Sequence, residues 1–299
     1  MRITLDDYVG KCMYRNTYKG PRLGLELEYE GCSSGSKTLN QHWHTEIDHS
    51  LRTGGLEYIS TPLKPLELHD AIHTMVGAAK ARGATVTKRC GMHVHVNCTH
   101  LTWRELFQFV TYYTLLEPTL FKEYCPEREI SHFCVPTWTN TVLTEYMYSD
   151  HQRLRSGIPI EDAGYDNDYA TAVNLLSSKT PRYGLDMLRT PKYAALNVAS
   201  LKKFGTLEFR QAPSTLDPVF MYTWAMLLQK IQTVSRGYAD ATDIIKEYER
   251  EGLFTLCDKV GLRHVQVISD ADQEDAADAA TIVAGHKPVN WKQLEWEIS

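Results

Sequence analysis

Gly91-Met92-His93-Val94-His95-Val96-Asn97 is the stretch from which the fold of this chain can be read. Successive side chains of a β-strand point to opposite faces, so His93 and His95 share one face while Met92, Val94 and Val96 share the other. The same alternation recurs in GLELEYE, residues 24–30, and in GTLEFRQ, residues 205–211. Glu26 and Glu28 stand together, backed by Leu25 and Leu27; Glu208 and Arg210 stand together, backed by Leu207 and Phe209. Three strands therefore bury an apolar face and crowd the other with carboxylates, imidazoles and a guanidinium. That is the composition of a lined cleft.

Working outward, Leu23 to Tyr29 reads as a strand, followed by a Gly/Ser-rich loop from Gly31 to Lys37. Thr45 to Ser60 reads as a hairpin turning at Thr53-Gly54-Gly55. Pro65 to Ala81 reads as an amphipathic helix with Leu66, Ile72, Met75, Val76 and Ala79 inward, stopped by Gly83. Thr85 to Cys98 carries the histidine strand. Thr102 and Glu105 form a capping box for a helix that should end near Leu116, before Pro118. Thr139 to Ser178 alternates helical stretches with polar loops. Tyr193 to Ser200 and Thr206 to Ala212 read as a second hairpin, and Asp217-Pro218 caps a helix running to about Gly237. Asp270 to Asp278, acidic and Ala-rich, reads as a solvated linker before a short segment around Trp291 and Trp296. Mixed strands and helices with hairpins, rather than strict βαβ alternation, predict an α+β antiparallel sheet.

The 299 residues suffice for one large domain or two ordinary ones. A net charge of -5 gives no general pull toward nucleic acid or anionic membrane. No apolar run suggests a membrane span, and MRITLDDYVGKC lacks a signal-peptide core. Seven scattered cysteines without a CxxC pair fit reduced thiols, so a cytoplasmic location is expected.

Crowded carboxylates repel and require something positive among them. For Glu26 and Glu28 that is either Arg or Lys in a structural network, or a divalent cation. A lone strand histidine is usually a hydrogen-bonded structural residue, but two on one face after Gly91 also suit metal or phosphate. Glu208 and Arg210 either pair with neighbouring strands or set a guanidinium beside a metal carboxylate, as phosphoryl transfer needs. Glu57 is an exposed strand residue or a further ligand, and Asp48 a turn residue or a further acid. The stretch KTPRYGLDMLRTPKY, with Lys179, Arg182, Arg189 and Lys192, is a solvated basic loop or an arm for an anionic substrate. No Walker A or GxGxxG motif precedes a helix. Hard oxygen ligands with histidine suit Mg²⁺ or Mn²⁺ better than zinc, and an adjacent Arg points to phosphoryl chemistry on a nucleotide.

Four segments in order, GLELE, EIDHSLRTGGLEYISTP, GMHVHVN and KYAALNVASLKKFGTLEFR, resemble the motifs of the amidoligases, carboxylate–amine ligases related to glutamine synthetase and glutamate–cysteine ligase. GMHVH is similar to the GMHxH signature of glutamine synthetase, and the resemblance covers roughly Leu23 to Leu216. It implies a curved antiparallel sheet forming a funnel, flanked by helices, with ATP at one end and substrates at the other. It further implies one catalytic domain over residues 1–255 and a C-terminal extension with an acidic linker over 256–299. Carried over by position, Glu28 and Glu57 would bind one Mg²⁺, with Asp48 a third ligand or the base that takes the amine proton. Glu26, His93 and Glu208 would bind a second. His95 would touch phosphate or substrate, Arg210 would steady the transferring phosphoryl group, and Lys192 and Asn197 would contact substrate or phosphate.

The implied activity is ATP-dependent amide or isopeptide formation through an acyl phosphate. Its substrates would be a small-molecule or peptide carboxylate and an amine, the amine being an amino acid, peptide, polyamine or modified nucleic acid base. The substrate loops and N-terminal domain of glutamine synthetase are not recognisable, so neither glutamate with ammonia nor its dodecamer is implied. The family's occurrence in phages and peptide-modification gene clusters implies a specialised ligation. Two rival readings stand beside it: a two-metal phosphoesterase or nuclease, and a non-catalytic nucleotide-binding protein.

Overall fold

The computed structural model describes residues 20–32, 37–52, 54–129, 131, 134–140, 144, 193–198, 200–263 and 269–285. Its strands are β1 (Leu23–Tyr29), β2 (Lys37–Thr38), β3 (Trp43–Ile47), β4 (Leu56–Ser60), β5 (Gly91–Asn97), β6 (Leu196–Asn197) and β7 (Thr206–Pro213). They pair antiparallel in one sheet of order β2-β3-β4-β1-β5-β7-β6. The three strands with paired polar residues are thus direct neighbours, β5 lying between β1 and β7. The β3–β4 turn places Gly54 at φ +70°, where a Cβ would also stand 2.9 Å from the Cys32 carbonyl oxygen.

Helices pack on the apolar side: α1 (Pro65–Ala81), α2 (Trp103–Tyr124), α4 (Pro218–Ser235), α5 (Ala241–Glu251), α6 (Leu253–Val260) and α7 (Asp270–Val283). Leu23, Leu25, Leu27, Met92, Val94, Val96, Leu207 and Phe209 are all fully buried against them. The short α3 (Ser200–Phe204) borders the polar face, where Ser200 bonds to Glu208 and Phe204 meets the His95 ring. At roughly 1.5–3 kcal/mol for each large apolar side chain, that face dominates the sheet's stability. Phe209 meets Phe109 and Tyr113 of α2 with ring centroids 5.5 and 4.8 Å apart. The Trp43 indole donates to the Ala71 carbonyl of α1 at 2.9 Å. Thr102 and Asp217 cap α2 and α4 as expected, accepting from the backbone N–H of Glu105 and Val219.

Four expectations need correction. Leu66 is exposed; Leu68 takes the inward position with Ile72, Met75, Val76 and Ala79. Leu66 lies about 200° around the helix from Leu68, on the opposite side. Helix α2 runs through Pro118 to Tyr124. The proline removes one backbone donor and costs roughly 3 kcal/mol, but Leu115, Leu116, Leu120 and Phe121 are fully buried and outweigh it. The second hairpin is linked by helix α3, and its first strand shrinks to Leu196–Asn197. Residues 270–278 form the start of α7 rather than a solvated linker. Ser269 caps α7, and Ala276, Ala279, Ala280 and Val283 form a buried stripe at helical spacing, small enough to sit close against α2. Gln273 donates to the Leu115 carbonyl at 3.3 Å.

The histidine strand is regular only from Gly91, after an isolated pairing of Thr85 with Glu30. The readings of residues 145–178, of the basic stretch holding Lys179, Arg182, Arg189 and Lys192, and of Trp291 and Trp296 lie outside the described residues. The six described cysteines are free thiols. Among the described residues no helix is long and apolar enough to cross a membrane.

Candidate active site

The register of the sheet builds the site. Glu28 lies opposite Glu57, Glu26 opposite His93, His95 opposite Glu208, and Glu208 opposite Asn197. Directly opposed residues of an antiparallel pair share a face, so the polar residues of β4, β1, β5, β7 and β6 form one continuous surface. Between the Met92–Ala212 and Val94–Phe209 pairings, Arg210 and Gln211 together face His93. This β-bulge sharpens the local bend and lets Arg210 project to the polar face beside the histidines. Gln211 goes the other way, accepting from the Tyr113 hydroxyl of α2 at 3.1 Å.

His93 is ringed by carboxylates. Its Nδ1 is 3.3 Å from Glu26 and 3.7 Å from Glu208, and its Nε2 is 3.7 Å from Glu28. His95 Nε2 is 3.3 Å from the other Glu26 oxygen, and its Nδ1 is 2.9 Å from the Thr206 hydroxyl. Glu28 accepts the Gly91 backbone N–H at 2.6 Å. Glu208 is held by three donors: the Asn197 amide at 2.7 Å, the Ser200 hydroxyl at 2.8 Å and the Arg210 guanidinium. Glu57 receives no side-chain hydrogen bond from the described residues. Asp48 sits in the β3–β4 turn, accepting the Ser50 N–H at 2.8 Å, within electrostatic reach of Glu57.

The charges divide sharply. Burial alone would raise Glu26, but hydrogen bonds and charge from His93 and His95 hold its carboxyl well below the usual range. Burial would also raise Glu208, yet His95, Arg210 and His93 bring it down to about 2. His95 is raised by Glu26 against the effect of burial, and Arg210 is raised by Glu208 in the same way. Glu57 moves in the other direction. Burial, then the charges of Glu26, Glu28 and Asp48, push it up to about 8. A carboxyl pushed toward its neutral form by burial and then by like charge is one that a nearby positive charge would return to its ionised form.

Two groups bring their ligand atoms within 4.8 Å of one another: Glu26, Glu57 and His93, and Glu26, His95 and Glu208. Oxygen donors with one imidazole each fit a small hard cation such as Mg²⁺ or Mn²⁺. These sets share Glu26 and differ from the division the family resemblance implies, which joins Glu57 to Glu28 and His93 to Glu208. All five residues nevertheless converge on one patch. Asn197 belongs to the cluster through Glu208, whereas Lys192 lies outside the described residues.

Sequence reasoning missed Ser200, Thr206, the Gly91 N–H and Arg128. Gly91 just ahead of the histidines is the one signal that could have been pressed further. A Cβ there would stand 3.0 Å from Arg128 Nη2, 3.1 Å from His93 Nε2 and 3.3 Å from Glu28. Glycine lets the backbone donor reach Glu28 without displacing its neighbours. Arg128, in the 3₁₀ turn Pro126–Arg128, carries no periodic signal at all.

The fold is an antiparallel sheet with helices on its apolar face and a carboxylate–imidazole–guanidinium cluster on the other, whose donor atoms lie close enough together to hold a cation. The family described as "putative amidoligase enzyme" matches residues 35–232, two thirds of the chain, and the chain belongs to it. The match begins after β1, so Glu26 and Glu28 enter the site through sheet pairing alone. No curated protein matches this chain.

Proposed function

We propose that this protein is an ATP-dependent carboxylate–amine ligase that forms an amide or isopeptide-like bond through an acyl phosphate. The observation that carries this reading is the pair of ligand sets sharing Glu26, with Arg210 alongside. Two Mg²⁺ ions, held by Glu26, Glu57 and His93 and by Glu26, His95 and Glu208, would neutralise phosphate oxygens and the developing charge. Glu28, bonded to Gly91 N–H and facing His93, orients that histidine and supplements the first set.

Arg210 anchors to Glu208 and keeps a buried Nε without a hydrogen-bond partner. It is the group aimed at the transferring phosphoryl oxygens. In the reaction a substrate carboxylate oxygen attacks the γ-phosphorus and the bond to ADP breaks. The amine nitrogen then attacks the acyl carbon, inorganic phosphate leaves, and a carboxylate takes the amine proton. Asp48, on the turn beside Glu57, is the base this reading names. Glutamine synthetase-like funnel geometry and a cytoplasmic setting belong to the same proposal.

ADP release measured with a pool of carboxylates and amines tests it. Stimulation requiring both substrates is expected, and Glu28→Ala or His93→Ala should abolish it while circular dichroism stays unchanged. Full activity in either variant overturns the assignment. Hydrolysis of phosphodiesters without ATP would favour the two-metal phosphoesterase, and nucleotide binding without turnover would favour the sensor.

A further inference from the structure

Arg128 is an anomaly of burial. Only 3% of its surface is exposed, yet among the described residues no carboxylate lies within ion-pair distance of it. Its Nη2 donates to the Arg210 carbonyl at 3.2 Å, and its Nε is buried without a hydrogen-bond partner. An uncompensated buried cation costs several kcal/mol, although Glu28 of the carboxylate cluster stands just across Gly91 from it. Nη2 and two of the cluster's side chains flank the same point: the position of a Cβ on Gly91, 3.0 Å from Nη2, 3.1 Å from His93 and 3.3 Å from Glu28. The guanidinium is close to the cluster and not spent on it.

Arg128 also lines a cleft of about 400 Å³ at the Gly91–Pro213 end of the sheet, together with Thr87, Lys88, Ser214 and Thr215. That volume suits a small organic molecule. The Ser214 hydroxyl is likewise buried without a hydrogen-bond partner. Glu127 and Asp217 also line the cleft, so its charge is mixed: two cations and two carboxylates. A triphosphate would be repelled by the acids, whereas a molecule bearing both a carboxylate and an ammonium group finds a partner for each.

We propose that this cleft is the seat of the carboxylate substrate, and that the substrate is an amino acid or peptide whose carboxylate Arg128 grips in bidentate fashion. The proposal rests on the ligase reading for the fate of that carboxylate, but binding in the cleft is independent of turnover. Arg128 would bring the carboxylate to the edge of the metal cluster, while Ser214 bonds to the substrate's polar atoms. Glu127 and Asp217 would face its amino group.

The Arg128 Nε–H signal, recorded by nitrogen–proton NMR and assigned by its loss in Arg128→Lys, tests the binding directly. The titrants are the twenty amino acids and straight-chain dicarboxylates, without ATP. For the tightest binder, its decarboxylated amine and its deaminated acid follow, with inorganic phosphate and ATP as separate arms. The expected result is a saturable shift with the amino acid, a weaker one with the deaminated acid and none with the amine. Arg128→Lys keeps the charge but loses the fork, and should raise the dissociation constant about tenfold or more. Lys88→Glu, at an exposed position where folding is not at stake, should weaken binding as well.

The proposal is overturned if no carboxylate moves the signal, if phosphate or ATP moves it as far as the amino acid does, or if Lys88→Glu leaves affinity unchanged. Should ADP release still require a carboxylate and an amine, with an unchanged KM for the carboxylate in Arg128→Lys, the ligase reading survives and this subsite falls.

Discussion

Replacing Glu57 by Gln separates the electrostatics of the site from its packing. The side chains have nearly the same shape, but the amide carries no charge to be repelled. Burial, followed by the charges of Glu26, Glu28 and Asp48, pushes Glu57 up to about 8 from the ordinary 4.5 when no cation is bound. Between those values the native state holds a proton that the unfolded chain gives up, so stability falls as pH rises from about 4.5 through about 8. At pH 7 the loss is roughly 3 kcal/mol for a fully shielded group, and about 2 kcal/mol with the part of the side chain that water reaches taken into account.

Glu57→Gln should therefore be more stable than the parent in EDTA at pH 7, with a melting temperature about 3–5 °C higher. The difference should vanish near pH 4.5 and grow to its full value above pH 8. Adding Mg²⁺ reverses the order, because the parent gains binding free energy through an ionised Glu57 and the variant has lost that ligand. Calorimetric scans of both proteins from pH 4.5 to 8.5, with EDTA and with Mg²⁺, check each part. A variant no more stable than the parent at pH 7 in EDTA, or a gap that does not change with pH, would refute the reasoning.

Two further substitutions probe packing. Gly91→Ala puts a methyl 3.0 Å from Arg128 and 3.1 Å from His93. It should cost about 1 kcal/mol in urea unfolding and weaken Mn²⁺ binding followed by electron paramagnetic resonance. Ala280→Asp buries a carboxylate in the α2–α7 contact, where Ala280 is fully buried. A loss of about 3 kcal/mol or more is expected, and near-neutral behaviour would mean that α7 does not pack there.

Much of this protein is legible from local patterns. The period of two in residues 24–30, 91–97 and 205–211 assigns Glu26, Glu28, His93, His95, Glu208 and Arg210 to one face, because pleating is a property of the backbone itself. Thr102 with Glu105, and Asp217 with Pro218, mark helix starts for the same reason: the unpaired N–H groups of a first turn are satisfied by residues close by in sequence. Helix ends and faces were less legible. Pro118 and the acidic run of α7 read as a stop and a linker because the apolar partners that outweigh them lie far along the chain.

The sequence by itself determined which side chains are available to the polar face. Only the tertiary structure decided which of them meet. Register between strands, the bulge at Arg210–Gln211 and the approach of Arg128 to Gly91 depend on packing between segments dozens of residues apart. Periodicity carries no information about such distances. Those pairings make Glu26 common to two ligand sets, leave Glu57 crowded by like charge, and turn Arg128, without any motif to announce it, toward both the cluster and the cleft.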